Sequence, residues 1–349
     1  MIKVYFVIIL FLMAAFLVGM LYYLSGKVGR LLELHGIKIE RKYTALSLSI
    51  ITVMLFIWKS AFVGILVHMI LLFVICDIVK AVLKMFEKEG RVYRFAKKVY
   101  ANGMLVVWLS LLLTIYAAYN AKNTVLTEYS VTIDKVMEQD LEIIMISDIH
   151  AGTSVQKKEL DNMLSIVNQE QAVVICLCGD VFDEGSGEEI FTYAFEKFSE
   201  MESKYGIYYV KGNHDASLCE KYESQFEQAG ITILEDETVL VADWFYLVGR
   251  LDEIEGERKD LDTLLESVDE SKPIIVLDHR PEKLAQVKQS AADLQLSGHT
   301  HAGQIIPGNL LVPLANDMCY GYAKYKDVNI IVSSGMGTWG LPIRTAEHS

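Results

Sequence analysis

Long apolar runs separated by short basic segments fill the first third of the chain, and short apolar runs separated by charged, helix-like stretches fill the rest. Residues 4–24 carry no charged side chain over 21 positions. At ~1.5 Å of rise per residue, a helix of that length crosses a hydrocarbon layer of ~30 Å. Apolar runs follow at 43–58, 61–79 and 100–119, with Lys59 and Ser60 as a tight turn between the second and third. The pattern predicts four membrane-spanning helices at about 4–24, 43–58, 61–79 and 100–119. The second is short and requires bilayer thinning or support from a neighbour. A cleaved signal peptide is the competing reading of the first run, but no small-x-small site follows Tyr22-Tyr23.

From residue 141 onward the period changes. Runs at 141–147, 172–178, 206–210, 273–277, 293–296 and 330–333 read as buried strands, and 231–242 with 244–248 reads as a strand pair. Stretches at 156–169, 188–201, 218–229, 257–268 and 282–289 read as helices. Short, continuously apolar strands between helices imply a sheet covered on its faces, hence an α/β domain. The predicted division is a membrane region over 1–122 and an enzyme domain over 123–349.

Charge sharpens that division. The chain has 32 Lys and Arg against 45 Asp and Glu. Residues 1–122 carry 15 basic and 5 acidic side chains, and residues 123–349 carry 17 and 40, a balance of −23. So acidic a domain is a poor ligand for a phosphate backbone, and no nucleic-acid partner is expected. Basic residues concentrate at 25–42 and 80–98. Basic loops stay cytoplasmic, and these two share a side only if all four runs span. The expected location is therefore a multi-pass protein of the cell membrane with an extracytoplasmic catalytic domain. Four of the five Cys lie in that domain and argue mildly the other way. Cys176 and Cys178 point to one face of a strand and read as small buried hydrophobes. Within the third run, Asp77 sits near an end and can snorkel, whereas the deeper His68 reads as an interhelical hydrogen-bonding group.

The candidate chemistry lies directly after the strands. In order come Asp148-Ile149-His150, Gly179-Asp180-Val181-Phe182-Asp183, Gly212-Asn213-His214-Asp215, Asp278-His279, and Gly298-His299-Thr300-His301. Ligands of open α/β sheets gather at the carboxyl ends of strands, so these turns converge. Asp148 and His150, like His299 and His301, are one residue apart and share a side of extended chain. Asp, His and Asn suit Mn, Fe, Zn or a similar divalent ion. Seven donors — Asp148, His150, Asp180, Asn213, His279, His299 and His301 — exceed the needs of one ion. They fit two divalent metal ions ~3.5–4 Å apart sharing a carboxylate, which can activate water against a phosphate ester. Asp183 and Asp215 read as carboxylates that orient a ligand or His214.

These motifs resemble the calcineurin-like metallophosphoesterase superfamily, whose pattern is D-x-H, G-D-x-x-D, G-N-H-D, a lone His and G-H-x-H, matched over roughly 141–344. Runs at 298–307 (GHTHAGQIIP), 319–325 (CYGYAKY) and 335–344 (GMGTWGLPIR) resemble its membrane-attached bacterial YkuE/YaeI-like members. The resemblance implies a four-layer αββα sandwich. It implies one metal on Asp148, His150, Asp180 and His301, and another on Asp180, Asn213, His279 and His299, with Asp180 as bridge. It implies catalytic roles for His214, as acid to the leaving group or phosphate clamp, and for its neighbour Asp215. Departures are Ala302, where the family often has Gly, and Thr345–Ser349, where relatives continue into a Pro-Glu segment and a last strand. The implied function is a membrane-anchored dimetal phosphoesterase cleaving a phosphomonoester, phosphodiester or pyrophosphate bond, on a phosphate-ester substrate that is lipid-linked or belongs to the cell envelope. The alternative is a non-catalytic membrane sensory or binding protein that keeps the fold; a lost ligand or a lost His214 would mark it, and every one is present.

Overall fold

A computed structural model of the chain describes residues 2–58, 60–86, 90–135, 139–183 and 185–348. Lys59 and Lys88, which figure in the expected turn and basic segment, lie outside the described residues. The chain divides into two compact units, Met1–Ala118 and Tyr119–Ser349.

The first unit is helical: α1 (Ile2–Leu34), α2 (Arg41–Ile57), α3 (Val63–Phe86), α4 (Arg91–Asn102) and α5 (Met104–Asn120). Helix α1 outruns its apolar stretch because Val28 and Leu31 pack on a cluster of Leu24, Leu48, Met69, Phe73 and Val106. The basic stretch expected as a loop also folds in part, as α4. The fourth apolar run is not one helix. Gly103, at φ 61°, ends α4, and α5 begins at Met104. At 17 residues, α5 reaches only ~25 Å. Among the described residues one helix is long and apolar enough to cross a membrane, Val63–Met85, with mean hydropathy 2.5. The four-span expectation is thus met by one helix on length and composition.

Polar side chains join helices in this unit. His68 Nδ1 lies 2.9 Å from Thr114 Oγ1, an interhelical bond. The Asp77 carboxylate receives the Lys27 ammonium at 2.6 Å and the Tyr23 and Tyr100 hydroxyls at 2.5 Å each.

The second unit holds two sheets. The first contains β1 (Ile143–Ile146), β2 (Val174–Cys178), β3 (Ile207–Val210) and β4 (Ile231–Ile233), all parallel. Helices α6 (Lys157–Glu170), α7 (Glu188–Ser199) and α8 (Ala216–Gln228) connect them. The second runs in the order β5 (Glu237–Val241), β6 (Phe245–Gly249), β7 (Ile274–Leu277), β8 (Leu294–Ser297), β10 (Val328–Val332), β9 (Gly321–Tyr325), with short helices α9 (Leu261–Leu265) and α10 (Leu284–Val287).

Side-chain alternation along the strands sorts residues into layers. Ile175 and Leu177 of β2 face the helices, with Leu160, Phe182, Phe198 and Phe226. Val174, Cys176 and Cys178 face the second sheet, with Phe245, Leu247, Ile275 and Leu277. Ile274 and Val276 of β7 face outward, under Leu261 and Leu284. The result is a four-layer α/β/β/α arrangement in which both cysteines are buried hydrophobes.

Two expectations are corrected. The run 231–242 is two strands in different sheets: β4 continues the first, and after Asp236, at φ 50°, β5 opens the second. A pattern of apolar positions cannot register that a chain has changed sheets. The helices expected over 257–268 and 282–289 shrink to five and four residues.

Candidate metal centre

The parallel strands β1, β2 and β3 of one sheet, and β7 and β8 of the other, end at the same place. Asp148 and His150 follow β1, Asp180 follows β2, Asn213 and His214 follow β3, His279 follows β7, and His299 and His301 follow β8. Backbone bonds lock the turns in register: Asp148 N donates to Gly179 O at 2.9 Å and His150 N to Asp180 O at 3.0 Å. Across the sheets, His299 N donates to both Asp148 carboxylate oxygens at 3.0 Å.

Asp148, His150, Asp180, His299 and His301 all stand in the left-handed region, at φ between 43° and 72°. For a residue with a Cβ this costs ~1–3 kcal/mol each and persists only where surroundings fix it. Glycines give the turns room: a Cβ on Gly212 would strike Asp180, and one on Gly298 would strike Asp148.

The donors form two groups. Asp148, His150 and His301 each bring a ligand atom within 4.8 Å of the others, and so do Asp180, His279 and His299. Asp180 Oδ2 lies 3.2 Å from His279 Nε2 and 3.7 Å from His150 Nε2, between the groups. Asn213 follows β3, and its Oδ1 is buried without a hydrogen-bond partner.

Hydrogen bonding fixes the tautomers. His279 Nδ1 meets the Cys178 carbonyl at 2.9 Å, and a carbonyl only accepts, so the proton is on Nδ1. The Nε2 lone pair then faces the Asp180 carboxylate. His150 Nδ1 meets Asp183 Oδ1 at 2.9 Å, which turns its Nε2 lone pair toward His301 Nε2 at 3.1 Å and Asp180. His301 Nε2 is also 3.5 Å from Asp148 Oδ1. Lone pairs and carboxylate oxygens at these separations repel unless a cation or a proton lies among them. The donor set therefore fits two cations.

Electrostatics agree. Burial would depress the imidazolium form of His279, but Asp180 and Asp148 overcome it and push its pKa up to about 10. Without a cation, a proton sits there. Burial, with His279 and Arg280, pushes His299 down to about 4, and burial beside His150 pushes His301 well down. Neutral imidazoles are the metal-binding form. Burial alone would raise Asp180, yet His279, His150 and the His214 amide hold its carboxyl well below the usual range.

The remaining predicted residues divide. His214 is half-buried, its backbone N–H donates to Asp180 Oδ1 at 2.8 Å, and its ring lies 5.3 Å from that of His150. Asp183 is an orienting group: it holds His150 and accepts from Thr153 Oγ1 at 2.5 Å. Asp215 is fully buried, and it accepts from the N–H groups of Val181 at 3.0 Å, Phe182 at 3.2 Å and Gly212 at 2.9 Å. These bonds tie its carboxylate to the backbone of the Asp180 and Asn213 turns.

Sequence reasoning on single residues missed the brace. After β10 the chain crosses back, Met336 N donating to Ser147 O at 2.9 Å and Gly337 N to Asp148 O at 2.7 Å. Gln304 clips this segment: its Nε2 donates to the carbonyls of Trp339 at 3.1 Å, Leu341 at 3.2 Å and Ile343 at 3.2 Å, and its Oε1 accepts from Trp339 N at 2.9 Å. Arg344, fully buried, donates to the carbonyls of Ser334 and Gly337. The recurring GHTHAGQ and GTWGLPIR runs were the available signal.

A two-sheet α/β domain with two facing Asp/His groups at its strand ends defines a candidate dimetal centre. Residues 141–303 match the calcineurin-like phosphoesterase family. The chain carries a calcineurin-like metallophosphoesterase domain. It is 37% identical over 224 residues to an uncharacterized metallophosphoesterase of Helicobacter pylori, covering 62% of this chain and 60% of that protein. It is 30% identical over 283 residues to the zebrafish (Danio rerio) "Transmembrane protein with metallophosphoesterase domain", covering 73% of this chain and 64% of the relative. It is 25% identical over 213 residues to the uncharacterized metallophosphoesterase YkuE of Bacillus subtilis, covering 58% and 74%. The match thus spans about 60% of the length of the Helicobacter relative.

Proposed function

We propose that the chain is a membrane-anchored, dimetal phosphoesterase that hydrolyses a phosphomonoester, phosphodiester or pyrophosphate bond, with its substrate lipid-linked or drawn from the cell envelope. The observation that carries it is Asp180, whose carboxylate faces the lone pair of His279 on one side and that of His150 on the other. One ion would rest on Asp148, His150, Asp180 and His301, and another on Asp180, Asn213, His279 and His299. When bound, such a pair supplies Lewis-acid activation of the phosphate and of water.

The chain's own residues do the rest. Asp183 holds His150 in the tautomer that leaves Nε2 free, and the Cys178 carbonyl does the same for His279. Asp215 fixes the turns that carry Asp180 and Asn213. His214, half-buried at the mouth of the site, is the group that protonates the leaving oxygen. Membrane anchoring rests on the apolar helix Val63–Met85 and on the charge step near residue 122; the paired basic segments favour an extracytoplasmic domain.

The test is turnover by the detergent-purified full chain of p-nitrophenyl phosphate and bis-p-nitrophenyl phosphate, with Mn²⁺, Zn²⁺ or EDTA. Metal-dependent hydrolysis, lost in Asp180→Ala, is expected, and the ratio of the two substrates reads monoester against diester. A folded chain that binds no divalent ion would refute the reading.

A further inference from the structure

Among the described residues of the second unit, four of the exposed large apolar side chains fall in one charge-free segment shortly after His301. Residues 305–315 (IIPGNLLVPLA) hold eleven positions without a charge. In that segment Ile306 is 39% exposed, Leu310 67%, Leu311 60% and Leu314 82%. Trp339 is 57% exposed, and its ring lies 6.0 Å from that of His214. Gln304, next to the segment, bonds Trp339, and Ile306 N donates to Thr345 Oγ1 at 2.9 Å. Single exposed hydrophobics need no explanation, but four in one short charge-free segment mark a candidate interaction surface.

Helix α5 ends at Asn120, whose side-chain amide donates to the carbonyls of Arg344 at 3.3 Å and Glu347 at 3.1 Å. Thr345, which holds Ile306, lies between those two residues. Glu347 also lines a cavity of about 250 Å³ with Ala302, Asn309, Pro313 and Tyr320. That cavity opens between the apolar segment and the residue after His301.

We infer that the 305–315 segment, with Trp339, docks into the interfacial layer of a zwitterionic bilayer and sets the metal centre against substrates held in that bilayer. Two observations select lipid as the occupant. The segment is charge-free and leucine-rich with an indole at its border, the composition of interfacial anchors. The domain carries 17 basic and 40 acidic side chains, so a second copy and an anionic lipid surface are both repelled. The inference rests on the phosphoesterase reading for its purpose, since docking would present an amphiphilic phosphate ester, head first, to the residues around His214.

The test uses the full chain in phosphatidylcholine nanodiscs with a nitroxide at Leu314→Cys, and in a second sample at Leu310→Cys. Each is made in a Cys76→Ser/Cys219→Ser/Cys319→Ser background; Cys176 and Cys178 are buried between the sheets. Glu196→Cys, on the exposed face of α7, is the aqueous reference. Collision rates with dissolved oxygen and with a water-soluble nickel chelate are compared. Docking predicts an oxygen-to-nickel ratio several-fold above that at Glu196→Cys for both positions. A ratio equal to the reference means the segment stands in water, and protection from both relaxers means protein covers it; either overturns the inference. Metal-dependent turnover of p-nitrophenyl phosphate by the same samples is scored separately, so failure of the phosphoesterase reading is seen independently of docking.

Discussion

The two units of the chain handle polar and apolar groups in opposite ways. In the helical unit, large apolar side chains such as Trp58, Leu112 and Ile115 stand exposed, while polar side chains bond across helices, His68 with Thr114 and Asp77 with Lys27 and two tyrosines. In the enzyme domain the apolar side chains are stacked in three layers, and polar groups collect at the strand ends with lone pairs facing each other. A polar group that is satisfied by its neighbours holds structure; one left facing another acceptor waits for a cation. The first unit turns apolar side chains outward; the second gathers candidate metal donors.

Substitutions sharpen that contrast. The largest effect belongs to Asp180→Ala, which removes the shared carboxylate and should abolish turnover together with metal retention, measured by elemental analysis of the same sample. His68→Ala, the matching deletion of a buried polar partner in the helical unit, should leave turnover of a soluble aryl phosphate unchanged. His214→Ala should lower kcat by ~10²–10⁴ with both ions retained, the range of a positioned general acid. The loss should be greater for alkyl than for p-nitrophenyl esters, whose leaving group needs no proton. Asp183→Asn should weaken metal affinity or activity by ~10–100-fold, since it orients His150 without being a ligand. Gln304→Ala strips four hydrogen bonds from the 339–343 brace; at ~1 kcal/mol each before relaxation, a fall in Tm of several degrees is expected, with a smaller loss of turnover.

Proton competition gives a pH test. In the cation-free centre His279 keeps its proton up to about pH 10 because Asp180 and Asp148 outweigh burial. A metal must displace that proton, so loading weakens as pH falls. The Mn²⁺ concentration for half-loading should rise by about tenfold per pH unit for one displaced proton between pH 8 and pH 6.

Much of the site was legible because its chemistry is local to strand ends. Asp-x-His and His-x-His spacings, each after an apolar run, point to Asp148, His150, His299 and His301, and the structure brings these residues into the two candidate groups. What could not be read was set by distant contacts. The left-handed turns at Asp148, His150 and Asp180 are non-glycine positions that sequence preference disfavours, and they persist through bonds such as His299 N to Asp148. For Asp215, expected to act beside His214, the groups that its carboxylate meets are amides of another turn, at Val181 and Phe182. The helical unit shows a related limit of sequence pattern. An apolar run says nothing about a left-handed glycine within it, and Gly103 divides the fourth run into two helices.

The central claim is that Asp180 joins two metal positions. Its most direct test is Mn²⁺ titration of the metal-stripped full chain, followed by electron paramagnetic resonance, beside Asp180→Ala. Two ions per chain with a spin-coupled signal, both lost in the variant, is the predicted result. A single uncoupled ion, or two ions retained by Asp180→Ala, would contradict the account.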